Sequence, residues 1–567
     1  HGFRYWNEKH RIREKLAQRV DTVDWKELFY QRDKIDRRTS RLLDSLLSSQ
    51  TGRVGRIQQI AEDGYDVKDT LLRNLHAGDE AGDVLARRYY SDVALSHLHR
   101  GLGINAWNDI RDGKSESLER ALGAFDMFVL HDREGDFDEI SDTLDDSAQN
   151  FKDANPEWRE LSTRKRALAL VDFVRRNNLT GLESDNRYRD LRNNYIGVAL
   201  RLLDHPSLPL ISVAIFSAIA QRIEIDARPC GFPFHVHAIV FPPSGLSLDA
   251  QSLADDAEGQ PMYLDPFRSD VEVPVDHLRR QLAQLGAAEV SHSEYLSSST
   301  VVETVLRTGR NIMNSVQESQ RTAFGVEPAD SSITIEASPF SSLDSENAFY
   351  SAVWAHLVLG SMPYQSLNPN GPGIAALVRR RQHFPFLLRA FQEHFPEDSN
   401  LIEEFIAPLF EGEYAHQELL ETIRAVGAAD RAPRTPKTRG SSASPPVVKY
   451  RVGQYFRHKR YDYNAVITGW DAKCKAPERW IAAQGVDDLS GGRQQSFYHV
   501  LVEEDKTVRY VAEENIALLD ANSVDEDGVK VPPPGPAMMH MAGRHFKRWD
   551  HDTFEFVSNM RDEYPDD

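Results

Sequence analysis

Cysteine is nearly absent from this chain. Cys230 and Cys474 are the two in 567 residues, and they lie in different halves. That excludes a disulfide framework and a Cys-rich zinc site, and it points to a reducing compartment. Long apolar runs are missing too: the longest, Leu210 to Ala220, is interrupted by Ser212 and Ser217 and falls far short of the roughly 20 residues of a membrane-spanning helix. Positive charge is in deficit, with Lys and Arg at 67 against 87 Asp and Glu and a net charge of -20. A whole-protein polyanion-binding role is therefore disfavoured, and any nucleic-acid contact is confined to a local patch. A phosphate-cradling Gly-rich loop, a helical HExxH and an EF-hand loop are all lacking, so neither cofactor nor metal is expected. The segment after His1 has no apolar run of the kind a secretory signal needs, and an intracellular location, cytoplasmic or nuclear, is expected.

What is present describes an ordinary globular protein of several folding units, with 40% hydrophobic and 27% charged residues, a mean hydropathy of -0.51 and a length too great for one core. Residues 1–150 read as stacked amphipathic helices, with Leu42, Leu43, Leu46 and Leu47 at helical spacing. The texture changes over 151–290. There Ser207 is placed to cap, and Pro209 to start, a helix from Leu210 to about Ile223 that is apolar on nearly every side and hence buried. Apolar strands are expected around Phe234 to Val240 and at Met262 to Leu264, giving an α+β arrangement. Residues 291–428 return to helix. A linker over 429–448, rich in Pro, Ser and basic groups, is expected to be flexible and exposed. β-type alternation then fills 449–520, and a Pro-rich tail, 521–567, is expected to be partly ordered.

The central region resembles the transglutaminase-like family in its SirB-type branch. The resemblance rests on YRDLRNNY (Tyr188 to Tyr195), on SLPLISVAIFSAIAQR leading to IDARPCGFPFHVH, and on YLDPF (Tyr263 to Phe267). In active relatives a Cys at the start of the buried helix attacks a carbonyl, a His on the next strand takes the proton, and an Asp or Asn orients that His. His235 and Asp265 match two of these positions and are expected to hydrogen-bond within about 3 Å. The nucleophile position is not matched: between Gly197 and Pro229 there is no cysteine, and the helix opens Pro209, Leu210, Ile211, Ser212. A serine there needs a strong base and an oxyanion hole, so the site reads as a degenerate remnant with no catalytic residue. Cys230 precedes the strand at the wrong end of the helix and reads as a small buried residue. His235 and His237, at i and i+2, have a second reading as ligands of one ion with Asp265 as a third, set against the preferred reading of a satisfied polar position.

The C-terminal segment, in RVGQYFRHKRYDYNAVITGWD, then FYHVLVEED, then RYVAEENI, is similar to the YccV-like family, also called HspQ-like and associated with hemimethylated-DNA binding. The insertion CKAPERWIAAQGVDDLSGGRQQ resembles the longer eukaryotic version, which occurs joined to an F-box and a SirB-type region in F-box only proteins. FRYW, with Phe3, Tyr5 and Trp6, is similar to the end of an F-box and is expected on the adaptor side; the chain, opening on His1, reads as beginning within or just after such a module, with weak or no adaptor binding of its own. The architecture expected is thus multidomain: helical N-terminal and middle regions, an α+β transglutaminase-like core and a small SH3-like β-barrel.

From Lys449 to Asp520 eleven basic residues face eleven acidic ones. Phosphate contacts dominate nucleic-acid affinity, so DNA binding has one candidate patch, Arg457, His458, Lys459 and Arg460, with Tyr461, Trp470 and Tyr498 as stacking surfaces. Tyr498, His499 and Tyr510 also lie on strands that can present a groove to an added peptide strand. What the resemblances imply is a substrate-recognition subunit of a cullin ubiquitin ligase, reached through a Skp-type adaptor, with a protein client and at most weak DNA binding. A DNA-binding factor and an active acyl-transfer enzyme are the alternatives.

Overall fold

A computed structural model describes residues 15, 18–19, 22–130, 136–182, 187–254, 259–324, 344–360, 372–439, 448–503, 508–524 and 529–567. Contacts divide the chain into two units. One comprises 1–19 with 98–420, the other 20–97 with 421–567. The helices of 1–150, grouped together by periodicity, therefore belong to two bodies, and the division falls inside one long helix.

In the second unit the leading helices are α1 (Trp25–Ser48), α2 (Arg53–Ala61), α3 (Lys68–Leu75) and the first half of α4 (Val84–Arg111). Asp24 caps α1 by accepting the Glu27 N–H at 2.9 Å, satisfying a backbone donor that has no partner within the helix. The apolar stripe Leu43, Leu46, Leu47 is buried as its spacing requires.

The first unit holds α5 (Leu118–Val129), α6 (Phe137–Ala154), α7 (Thr163–Arg176), α8 (Ile196–Arg201) and α9 (Pro209–Arg222). Every residue from Pro209 to Ala220 is buried; at about 1.5–3 kcal/mol for each large apolar side chain, this helix anchors the unit. Its N-cap is Leu208, with no side-chain cap, so Ser207 does not fill the capping role its position suggested. Instead, Ser207 Oγ lies 2.7 Å from Ser212 Oγ. Strands β1 (Ala227–Pro229), β2 (Ala238–Val240), β3 (Met262–Leu264) and β4 (Glu272–Val273) form an antiparallel sheet in sequential order, with α9 packed on β1. The second expected strand is shorter than its apolar run: residues 234 to 237 form the loop leading into β2. Helices α10 (Val275–Gln284), α11 (Glu289–Tyr295), α12 (Val301–Phe324), α13 (Ser345–Leu359) and α14 (Pro372–Glu393) follow. Within this unit Arg100 on α4 donates to Asp398 from Nε (2.8 Å) and Nη2 (2.8 Å) and to Glu397 from Nη2 (2.6 Å), all three side chains being buried.

Helix α15 (Tyr414–Arg431) runs into the segment expected to be a free linker. Lys437 and Arg439 are held in place. Lys437 Nζ donates to Tyr564 Oη at 3.1 Å and lies 3.2 Å from Glu563, while Arg439 Nε donates to Asp567 Oδ1 at 2.6 Å. Residues 440–447 lie outside the described ones.

The C-terminal sheet comprises β5 (Tyr455–His458), β6 (Asn464–Asp471), β7 (Phe497–Val502), β8 (Val508–Ala512) and β9 (Ile516–Leu518), antiparallel in the order β8-β7-β6-β5-β9. The insertion carries α16 (Glu478–Gln484). In the last segment, expected to be partly ordered, the described residues form α17 (Pro536–Ala542) and the hairpin β10 (Phe546–Asp550) and β11 (Glu555–Ser558), whose Phe546, Trp549 and Phe556 enter the same core as Tyr455, Phe456 and Val84. Gly453, at φ +96°, is required at this junction, because a Cβ there would stand 2.1 Å from the Phe556 carbonyl oxygen.

Candidate functional site

Two places carry the sequence-derived residues. In the first unit, His235 Nε2 lies 2.8 Å from Asp265 Oδ2. Asp265 follows β3, and its other oxygen accepts the backbone N–H groups of Phe267 and Arg268 at 3.2 Å each, so the carboxylate is aimed from two sides. Burial pushes its pKa up, but the hydrogen bond and charge of His235 outweigh this and leave it lowered. His237 is 5% exposed and its ring centroid is 5.0 Å from that of His235. Burial drives its pKa down to about 4, so the ring is neutral near pH 7. The loop is tightly shaped: Phe234 adopts φ +62° while its side chain is 82% exposed, a backbone conformation that costs a bulky residue free energy.

At the start of α9 no thiol meets this pair. Ser212 is fully buried, and its Oγ is engaged by Ser207 Oγ at 2.7 Å and by the Gly181 N–H at 3.3 Å. Cys230 is fully buried as well, donates from Sγ to the Tyr295 carbonyl at 3.3 Å, and has its pKa pushed up to about 11 by burial. It is held as a thiol, which is a poor nucleophile.

Sequence reasoning missed an open cleft of about 560 Å³ in the same unit, lined among others by Ser115, Glu116, Arg228, Ser299 and Thr300. Its walls come from segments nearly 190 residues apart in the chain, and hydroxyl-bearing loop residues give no periodic signal.

On the C-terminal sheet the nine candidate binding residues separate into two groups. His458, Trp470 and Tyr498 are buried. His458 Nδ1 accepts the N–H groups of Arg460 and Tyr461 at 3.1 Å each and so holds the tight turn that presents them. Trp470 Nε1 donates to Asp567 Oδ2 at 3.0 Å. Tyr498 Oη accepts the Tyr450 N–H at 3.0 Å and bonds Glu513. These rings fill the core, and the expectation that Trp470 and Tyr498 offer stacking surfaces is corrected. The surface group is Arg457, Lys459, Arg460, Tyr461, His499 and Tyr510. Even here the charges are engaged: Arg457 pairs with Asp462 at 2.5 Å and Lys459 Nζ donates to the Glu514 carbonyl at 2.9 Å. Arg460 lies over the exposed Tyr461 ring at 5.3 Å, a cation–π contact.

His499 and Tyr510 face each other across β7 and β8, ring centroids 4.7 Å apart. Both converge on Asp471, with Tyr510 Oη donating to Oδ2 at 3.0 Å and His499 Nε2 3.4 Å from the same oxygen. Burial raises the Asp471 pKa, but Lys475 at 2.9 Å and Lys437 bring it below the usual carboxylate range. Phe3, Tyr5 and Trp6, expected on the adaptor side, lie outside the described residues.

Among the described residues no helix is long and apolar enough to cross a membrane. Comparison with known proteins agrees with both resemblances. Residues 138–310 match the family model of the transglutaminase-like superfamily, and residues 448–553 match that of the hemimethylated DNA-binding protein YccV like. F-box only protein 21 from Homo sapiens, from Mus musculus and from Pongo abelii is each 38% identical over 99 residues, 18% of this chain. The match spans 15% of each relative's length. No solved structure matches. The chain thus carries a transglutaminase-like domain and a YccV-like domain, in that order, and is similar over part of its length to F-box only protein 21.

Proposed function

We propose that this chain serves as the substrate-recognition part of an SCF-type cullin ubiquitin ligase, with the transglutaminase-like domain as a non-catalytic platform and the YccV-like domain as a second binding module. The observation that carries this reading is the state of the nucleophile position. Ser212 is fully buried and hydrogen-bonded to Ser207, while the His235–Asp265 pair is satisfied separately. An acyl-transfer site needs an accessible nucleophile within reach of its base. A domain that keeps its fold and lacks that group is suited to binding, and the cleft beside Arg228 offers a surface for it. The similarity to F-box only protein 21 supports the ligase context.

The test is to express the complete reading frame with an affinity tag and probe the purified material for a Skp-type adaptor and a cullin. Co-purification of both is the expected result. Their absence, together with tight retention of DNA, would favour the second reading, a DNA-binding factor, which the YccV-like match supports and which the Arg457–Asp462 ion pair and the bond of Lys459 to the Glu514 carbonyl oppose.

A further inference from the structure

The spacing and orientation of one cluster in the transglutaminase-like domain point to a further property. We propose that His235, His237 and Asp265 bind one divalent transition-metal ion of the zinc type. One donor atom from each of these residues lies within 4.8 Å of the others, and the shortest pair, His235 Nε2 to Asp265 Oδ2, is at 2.8 Å. Two imidazoles and one carboxylate form a donor set that suits zinc, whose ligands sit at about 2.0–2.2 Å.

The second observation is independent of the spacing. His237 is 5% exposed, yet its Nδ1 finds no hydrogen-bond partner among the described residues. A buried polar atom without a partner carries a desolvation cost, and a metal bond removes it. Asp265 is oriented by the backbone N–H groups of Phe267 and Arg268, the outer support that ligating carboxylates ordinarily require. His235 retains 19% exposure of its side chain, which leaves a path for the ion from solvent. Such an ion would tie the loop before β2 to the end of β3, and this holds whether or not the chain acts in a ubiquitin ligase.

The experiment uses the full chain, stripped with chelator, titrated with Zn²⁺ by calorimetry and with Co²⁺ by visible absorption. A single equivalent should bind, with d–d bands developing over the same range. His237→Gln and Asp265→Ala should each weaken binding at least about tenfold. Unchanged affinity in both variants, or weak uptake no better than that of scattered surface histidines, would overturn the proposal. A measurement on the unmodified protein guards against variants that fail to fold: one equivalent of Zn²⁺ should shield His235 from diethylpyrocarbonate, read by peptide mass spectrometry. Equal modification with and without zinc would also overturn it.

Discussion

Ser212 Oγ lies 2.7 Å from Ser207 Oγ, and both serines have no solvent exposure. The hydroxyl near the start of α9 is thus used in a buried structural hydrogen bond. Ser212→Ala is therefore expected to lower stability by about 0.5–1.5 kcal/mol, since it removes one partner from Ser207 while the Gly181 N–H keeps Ser207 Oγ at 3.2 Å. Denaturant melts measure this. The wild-type chain should show no transamidation or peptidase turnover; activity that vanishes in Ser212→Ala would contradict the non-catalytic reading.

Breaking the buried Arg100 network should be costlier. Arg100→Ala strands Glu397 and Asp398 without their cation in a site where the three side chains are 2%, 8% and 0% exposed, and such a loss is typically about 3–5 kcal/mol. Arg100→Met together with Asp398→Leu should recover only part of it, because the desolvation of the Arg100–Asp398 pair is removed along with its attraction while Glu397, 2.6 Å from Arg100 in the wild type, still loses that cation. The check is a double-mutant cycle by urea unfolding.

Asp126 gives the pH dependence a definite sign. It is buried, Oδ1 accepts the Val198 N–H at 3.0 Å, and burial raises its pKa to about 7. The folded state thus binds a proton between about pH 4 and 7 that the unfolded chain has released. Stability from this group is fully present below the unfolded pKa and is lost as pH rises through about 7, at up to about 1.4 kcal/mol per pH unit. In Asp126→Asn that contribution should disappear, so the stability difference between variant and wild type should change in the variant's favour from pH 4 to pH 8. A constant difference across that range would contradict the assignment.

For the C-terminal sheet, DNA affinity should be low near physiological salt. If Arg457, Lys459 and Arg460 all leave their intramolecular partners for phosphates, the logarithmic salt slope is about -3 at most. Titrating the full chain with hemimethylated, fully methylated and unmodified duplexes, beside Arg457→Glu/Lys459→Glu, measures this. Tight binding that prefers the hemimethylated duplex and is lost in the double variant would show the protein-recognition reading of this module to be wrong.

Arg439 closes the C-terminal unit. Besides Asp567 it donates to the carbonyls of Val448 and Tyr450, at 3.3 and 2.6 Å. Arg439→Ala leaves the Asp567 carboxylate, 1% exposed, without its cation, and faster amide exchange is expected at Val452, whose N–H donates to that carboxylate at 3.1 Å. Hydrogen-exchange mass spectrometry of the peptides around 448–455 and 560–567 is the measurement.

What the sequence determined by itself was whatever depends on local pattern. The apolar character of Pro209 to Ala220 on nearly every side, broken only by Ser212 and Ser217, predicts a buried helix, and α9 is one. Alternating β-branched and aromatic residues predict the strands β5 to β8, and the strings around His235, Asp265 and Arg457 identify the two domain types. The tertiary structure alone decided which of those residues remain available. Trp470 and Tyr498 looked like surface for stacking, but β6 and β7 pair them opposite each other and turn both inward. The basic linker looked free because its composition has little to bury, yet Arg439 finds Asp567 128 residues later. His235 and Asp265, thirty residues apart, meet because β2 and β3 pair antiparallel. Periodicity reports which face of an element is apolar; it carries no information about which distant element will supply the partner for a polar group, and that choice is made by packing.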